Sequence, residues 1–245
     1  MKTSRFHRLF PVALFGTAIG ASAVAAPAQA YELNGLAAAS DSQFKHLSAD
    51  LLAALGSKGL SGPVQAETGG WGIAGSASTT YTDDSKTWAA VTGAHVDHID
   101  VAGVDAWFQL PQGIRIGVLA AAIASTDDAL WRIDASLPVA TIDAWTVSGR
   151  ASLGAVWSIK NVDAYTQTLG LEASRVYGLL QPYGGLGIAV GEFGASGDDA
   201  PKNQTLLRPD IYAGLRLNLP TFALSGVVDQ TGHNTSLGLR LAVAF

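Results

Sequence analysis

From Thr235 to Phe245 the chain reads T-S-L-G-L-R-L-A-V-A-F. Leu237, Leu239, Leu241, Val243 and Phe245 share one parity, and Ser236, Gly238, Arg240, Ala242 and Ala244 the other. A β-strand turns successive side chains to opposite faces, so one face here is a continuous apolar stripe and the other is small or charged. The device recurs upstream. Trp71, Ile73, Gly75, Ala77, Thr79 and Tyr81 stand against Gly72, Ala74, Ser76, Ser78 and Thr80. Trp145, Val147, Gly149, Ala151, Leu153, Ala155 and Trp157 stand against Thr146, Ser148, Arg150 and Ser152. Two further segments, Trp131–Leu137 and Ile211–Leu219, repeat it with Arg132, Asp134, Ser136, Tyr212, Arg216 and Asn218 on the polar side.

Where such a face begins and ends on an aromatic, about ten residues separate the two. At about 3.3 Å per residue and a tilt of roughly 45°, that length covers the apolar band of a membrane, with the aromatics at its two interfaces. Trp71, Tyr81, Trp131, Trp145 and Trp157 are the predicted girdle. Only 14% of residues are charged, 48% are hydrophobic and 28 are Gly, a combination suited to a barrel whose lipid-facing side chains alternate with a polar interior. After residue 30 no run of eighteen apolar residues occurs, so no transmembrane helix is expected. The predicted fold is all-β: a transmembrane antiparallel barrel of ten strands, with eight or twelve as alternatives. The strands are placed at 71–82, 101–110, 113–125, 130–139, 145–157, 163–176, 181–193, 206–219, 221–230 and 235–245. This arrangement puts the short connections at 110–113, 140–144, 177–180 and 219–221 on one side, and the long loops 83–100 and 194–205 on the other. Outer-membrane barrels have short periplasmic turns and long external loops.

Residues 1–30 read as a cleaved signal peptide: Lys2, Arg5 and Arg8, then an apolar run to about Ala25, then Ala28-Gln29-Ala30 as the processing site. Removing them leaves 12 Lys+Arg against 20 Asp+Glu, which argues against nucleic acid as a partner. With no cysteine anywhere, the fold must be held by a core or a closed hydrogen-bond network rather than by disulfides. Residues 31–70 form a separate segment. Phe44, Leu47, Leu51, Leu52 and Leu55 recur at helical spacing, Asp41 or Ser42 offers a cap, and Gly56 a stop. A short amphipathic helix is expected there, followed by a Gly/Ser/Pro linker. It could plug the barrel, lie on the membrane or cover one rim; packing at the periplasmic end is the simplest expectation.

The final strand, with its alternate apolar residues and closing aromatic, resembles the terminal strand of Gram-negative outer-membrane β-barrels. The resemblance implies that Leu237, Leu239, Leu241, Val243 and Phe245 serve as an assembly signal. It also implies outer-membrane lipid, the barrel-assembly machinery and periplasmic chaperones as partners. Leu110-Pro111-Gln112-Gly113 between two early strands is similar to a turn of small uncharacterised proteobacterial barrel proteins, which have no settled activity to carry over.

Charges on the inward parity form the first candidate site: Asp105, Arg115, Arg132, Asp134, Arg150, Glu172, Arg216, Asp229 and Arg240. A ten-stranded lumen is little wider than its side chains, so these groups must pair or meet water. They read either as an ion-pair network that closes the lumen or as the lining of a narrow pore for small solutes. The second candidate is a loop cluster of Asp83, Asp84, His95, Asp97 and His98, whose residue types suit acid–base work. In residue types and rough height it resembles the omptins, ten-stranded surface proteases, though no local motif carries across. His233 and Ser236, as in lipid-acting barrel enzymes, fall on opposite faces of an extended strand, which counts against a dyad. No cofactor or metal motif is present in the sequence. The expected function is a non-enzymatic outer-membrane barrel, with a surface hydrolase or a loop-based adhesin as the alternatives.

Overall fold

The computed structural model describes residues 33–56, 59–62, 70–124, 126–157, 162–198 and 200–245. The signal peptide and most of the linker lie outside the described residues. Ten antiparallel strands close into a barrel by pairing β1 (Gly70–Tyr81) with β10 (Asn234–Ala244). Between them run β2 (His98–Gln109), β3 (Arg115–Ile123), β4 (Ala129–Ile142), β5 (Trp145–Trp157), β6 (Val162–Ser174), β7 (Leu180–Ala195), β8 (Gln204–Asn218) and β9 (Ala223–Thr231). Each strand pairs with its sequence neighbours, so every interior ladder is satisfied and no edge is left open. Strand number and order are those the alternation predicts.

Two rims differ in their connections. At one, β2 and β3 are joined by the Leu110–Gly113 turn, where Gly113 takes a φ of 80° that a side chain would resist. At the same rim β4 and β5 meet in a two-residue turn whose Asp143 and Ala144 both have positive φ, the primed geometry that matches strand twist. The opposite rim carries the long connections. There the first loop is not irregular throughout: Ser85–Thr92 form a helix, α2, capped by Asp84, and β2 begins at His98. The predicted loop 83–100 is therefore too long at its far end.

The helix expected at 42–55 is present as α1 (Asp41–Leu55), but Ser40 rather than Asp41 or Ser42 caps it, in a reciprocal box with Gln43. Its position is the main correction. It does not pack at the short-turn rim; it enters the barrel from the long-loop rim. The physical reason is the interior there, which is apolar rather than polar. Phe44, Leu47, Leu51 and Leu52 pack with Ile99 and Val101 of β2, Leu119 and Ile123 of β3, Val162 of β6, Phe193 of β7 and Trp88 of α2. Phe44, Leu47, Leu52 and Trp88 are each 0% exposed. Burying side chains of this size is worth roughly 1.5–3 kcal/mol each, which fixes the helix where such a surface exists.

Candidate functional site

Below α1 the chain descends through the barrel. The Gly56 carbonyl accepts from Arg132 Nη1 at 3.1 Å. Leu60 packs beneath it on Tyr183, Tyr212 and Val227. Gly59 and Gly62, at φ 61° and 67°, make a tight turn closed by a 3.2 Å bond from the Gly62 N–H to the Gly59 carbonyl. A side chain at Gly59 would run into the Tyr212 ring, so the turn needs glycine for space as well as for φ. Ser61 sits among the lumen charges: its carbonyl accepts from Arg115 of β3 and its hydroxyl from Arg150 of β5. Beside it, Gly62 lies against Arg216 of β8 and Ser225 of β9. In a ring of ten strands, β3 and β8 are diametrically opposed. The Ser61–Gly62 turn therefore spans the lumen.

The inward charges divide into two groups around that turn. Arg240 of β10 grips Asp105 of β2 through two bonds, Nε to Oδ2 at 3.0 Å and Nη2 to Oδ1 at 2.6 Å. Arg115 shares the same carboxylate at 4.0 Å. Both guanidinium groups stack on the inward ring of Trp107, 4.5 Å (Arg115) and 4.6 Å (Arg240) from its centroid. In the second group Arg150 bonds Glu172 at 2.8 Å and the Tyr212 hydroxyl at 2.9 Å. That hydroxyl in turn donates to Glu172 at 2.9 Å, linking β5, β6 and β8. Arg132, Asp134, Arg216 and Asp229 are also buried on the inner face. Asp229 shares the Thr231 hydroxyl with Asp210.

The loop candidates do not converge. His95 and Asp97 pair with each other at 3.0 Å on the surface. His98 belongs to β2 and pairs with Asp100 at 3.4 Å on its outer face. Asp83 and Asp84 instead line a rim cavity of about 420 Å³ with Lys45, His46, Asp50, Arg208 and His233. Among the described residues, no side-chain bond joins Asp83 or Asp84 to His95, Asp97 or His98.

The acids of the cavity hold structure together. Asp84 accepts from the Lys86 and Thr87 N–H groups and from the Thr87 hydroxyl, and these donors hold its carboxyl below the usual carboxylate range. Asp50, absent from the sequence candidates, is 2% exposed. It accepts from Trp88 Nε1 at 2.8 Å, Asn234 Nδ2 at 2.7 Å and the Asp83 N–H at 3.1 Å, tying α1 to α2, β10 and the connection after β1. Burial nevertheless pushes its carboxyl up, outweighing these donors, and the nearby Asp83 carboxylate adds to the push. An acid whose folded pKa is raised contributes stability that is full below its unfolded pKa and is lost as pH rises through the folded one. Docking of α1 should therefore tighten as pH falls from 7 toward 4, and Asp50→Asn should flatten that dependence. Hydrogen exchange of α1 amides across this range checks it; protection that weakens with acid would contradict the assignment.

No family model matches the chain, and no curated protein matches it. Solved structures similar to it include the β-domain of the Bordetella autotransporter BrkA, 14% identical over 73% of this chain and 100% of that one, with a TM-score of 0.43. The KdgM porin in complex with disordered oligogalacturonate is 11% identical over 71% of this chain and 99% of that one, with a TM-score of 0.38. The outer membrane protein OprG from Pseudomonas aeruginosa is 15% identical over 73% of this chain and 97% of that one, with a TM-score of 0.36.

Proposed function

We propose that this protein is an integral outer-membrane barrel, non-enzymatic, held closed by its own N-terminal segment and passing small solutes only when that segment withdraws. The observation that carries the reading is the Ser61–Gly62 turn bridging opposite walls between Arg115 and Arg216. Membrane embedding rests on the outer face. Large apolar side chains such as Leu169, Leu186, Leu207, Ile211 and Leu239 are exposed around the whole ring, far more apolar surface than a soluble monomer leaves uncovered. Exposed aromatics mark two levels: Trp71 and Phe108 toward the short-turn rim, Tyr81, Trp131 and Tyr165 toward the other. Trp145 is half-buried, and the Trp157 side chain lies outside the described residues. The long connections face the cell exterior in such barrels, so α1 lies on the external side. Catalysis is disfavoured because Asp50 and Asp84 are occupied by structural donors and the loop histidines pair elsewhere.

The absence of cysteine makes a clean topology test possible. A single cysteine at the exposed Ser42 should react with a membrane-impermeant maleimide on intact cells, and one at Val176 on the short-turn rim should react only after lysis. Equal labelling of both, or labelling of Val176→Cys alone, would reject the orientation and the external helix.

Assembly is proposed to proceed through the β10 stripe, Leu237, Leu239, Leu241, Val243 and Phe245, as the contact for the barrel-assembly machinery. Phe245 also closes the seam, its N–H donating to the Trp71 carbonyl at 2.8 Å and its ring stacking on Trp71 at 4.4 Å. Losing a backbone bond and a ring pair costs roughly 1 kcal/mol each. Deleting Phe245 should reduce the fast-migrating form seen on unboiled gels of outer-membrane fractions. An unchanged yield would remove Phe245 from both roles.

A further inference from the structure

We propose that Arg115, Arg132 and Arg240 form a latent anion site inside the barrel, so that the opened lumen selects small oxyanions such as carboxylates and phosphates over cations. The inference rests on the reading that the N-terminal segment withdraws. In the closed barrel the segment offers these arginines neutral oxygens: the Ser61 carbonyl to Arg115 and the Gly56 carbonyl to Arg132. These are the positions that the oxygens of an anion would take. Arginine forks favour planar oxyanions, and a bond to a charged acceptor is roughly twice as strong as one to a neutral carbonyl.

The local charge is incomplete without such a ligand. Asp105 is gripped by Arg240 and merely approached by Arg115 at 4.0 Å. The three guanidinium groups face two carboxylates, Asp105 and Asp134, whereas Arg150 is matched by Glu172. Donors are left over as well: among the described residues, Arg115 Nε, Arg132 Nε and Arg240 Nη1 have no hydrogen-bond partner, although the three side chains are at least nine-tenths buried. Charge rings of this sign are the element by which a narrow pore admits anions.

Planar bilayers holding full-length Phe44→Ala, whose helix has lost its anchor, should show openings that reverse toward the chloride equilibrium potential under a KCl gradient. Adding Arg115→Gln should shift the reversal toward zero, and inorganic phosphate should reduce the chloride current. Openings that reverse at zero or toward the potassium potential would overturn the anion site while leaving the closed-barrel reading intact. If no openings occur, the withdrawal reading fails, and this inference with it. Should Phe44→Ala not assemble, Leu51→Ala takes its place. A second measurement needs no bilayer: in Phe44→Ala with Ser136→Cys, on the inner wall in register with Arg115, an anionic methanethiosulfonate should react at least about tenfold faster than a cationic one of similar size. Equal rates, or a faster cation, overturn the site, and no reaction with either rejects withdrawal.

Discussion

Full-length Phe44→Ala is expected to raise the open fraction of the barrel in planar bilayers by roughly two to four orders of magnitude over the parent. The size follows from where Phe44 sits. It is 0% exposed, within a core shared by α1, α2 and the upper inner wall. Truncating a buried Phe to Ala costs roughly 3–5 kcal/mol, and each 1.36 kcal/mol is about tenfold in an equilibrium. The loss falls on docking of the helix rather than on closure of the barrel, because the ten strands are joined by continuous ladders that Phe44 does not enter. Asp50 sets the scale of what remains: its bonds to Trp88 and Asn234 still hold the helix, so docking is weakened rather than abolished. Parent and variant traces at matched protein amounts decide the matter. If the variant is as silent as the parent while still assembled, the helix is not the closure.

The same segment explains why the sequence is readable in some places and opaque in others. Strands β1, β4, β5 and β10 alternate cleanly because their outer face is apolar and exposed while their inner face is small or charged. Alternation fades in β2 and β3, where His98–Gln109 and Arg115–Ile123 carry apolar residues on both faces. Ile99, Val101, Leu119 and Ile123 point inward and are apolar because a helix fills that part of the lumen. A single-strand pattern has no way to register a tertiary partner of this kind. The helix itself is legible from Phe44, Leu47, Leu51 and Leu52, yet its stripe fits any apolar surface, so its placement is not. Helix α2 is eight residues long and hidden in a polar loop; Asp84 before it and Gly93 after it, at φ 76°, are the cap and stop that mark it. Asp83 and Asp84 can be picked out by residue type. Their actual neighbours, His46, Asp50, Arg208 and His233, come from distant segments that meet only in the fold.

The interior thus has two regimes, an apolar one beneath the long-loop rim and a charged one at mid-height, and they fail differently. In the charged regime the largest single effect is expected at Asp105. Asp105→Ala removes the carboxylate shared by Arg240 and Arg115, which are 2% and 3% exposed. Two like charges would then remain in a low-dielectric space, both stacked on Trp107 and without that anion. Removing one partner of a buried pair costs roughly 3–5 kcal/mol, mostly for the charge left behind. The urea midpoint of the heat-modifiable form should drop accordingly. Asp105→Asn, which keeps an acceptor of the same shape but no charge, should fall between the variant and the parent. Arg240→Met combined with Asp105→Leu should recover much of the loss, because it removes the orphaned charge together with its partner. A double variant no better than Asp105→Ala would mean that Arg115 alone sets the penalty. Asp105→Ala within about 0.5 kcal/mol of the parent would mean that water already screens the group, and the lumen would be wetter than its packing indicates.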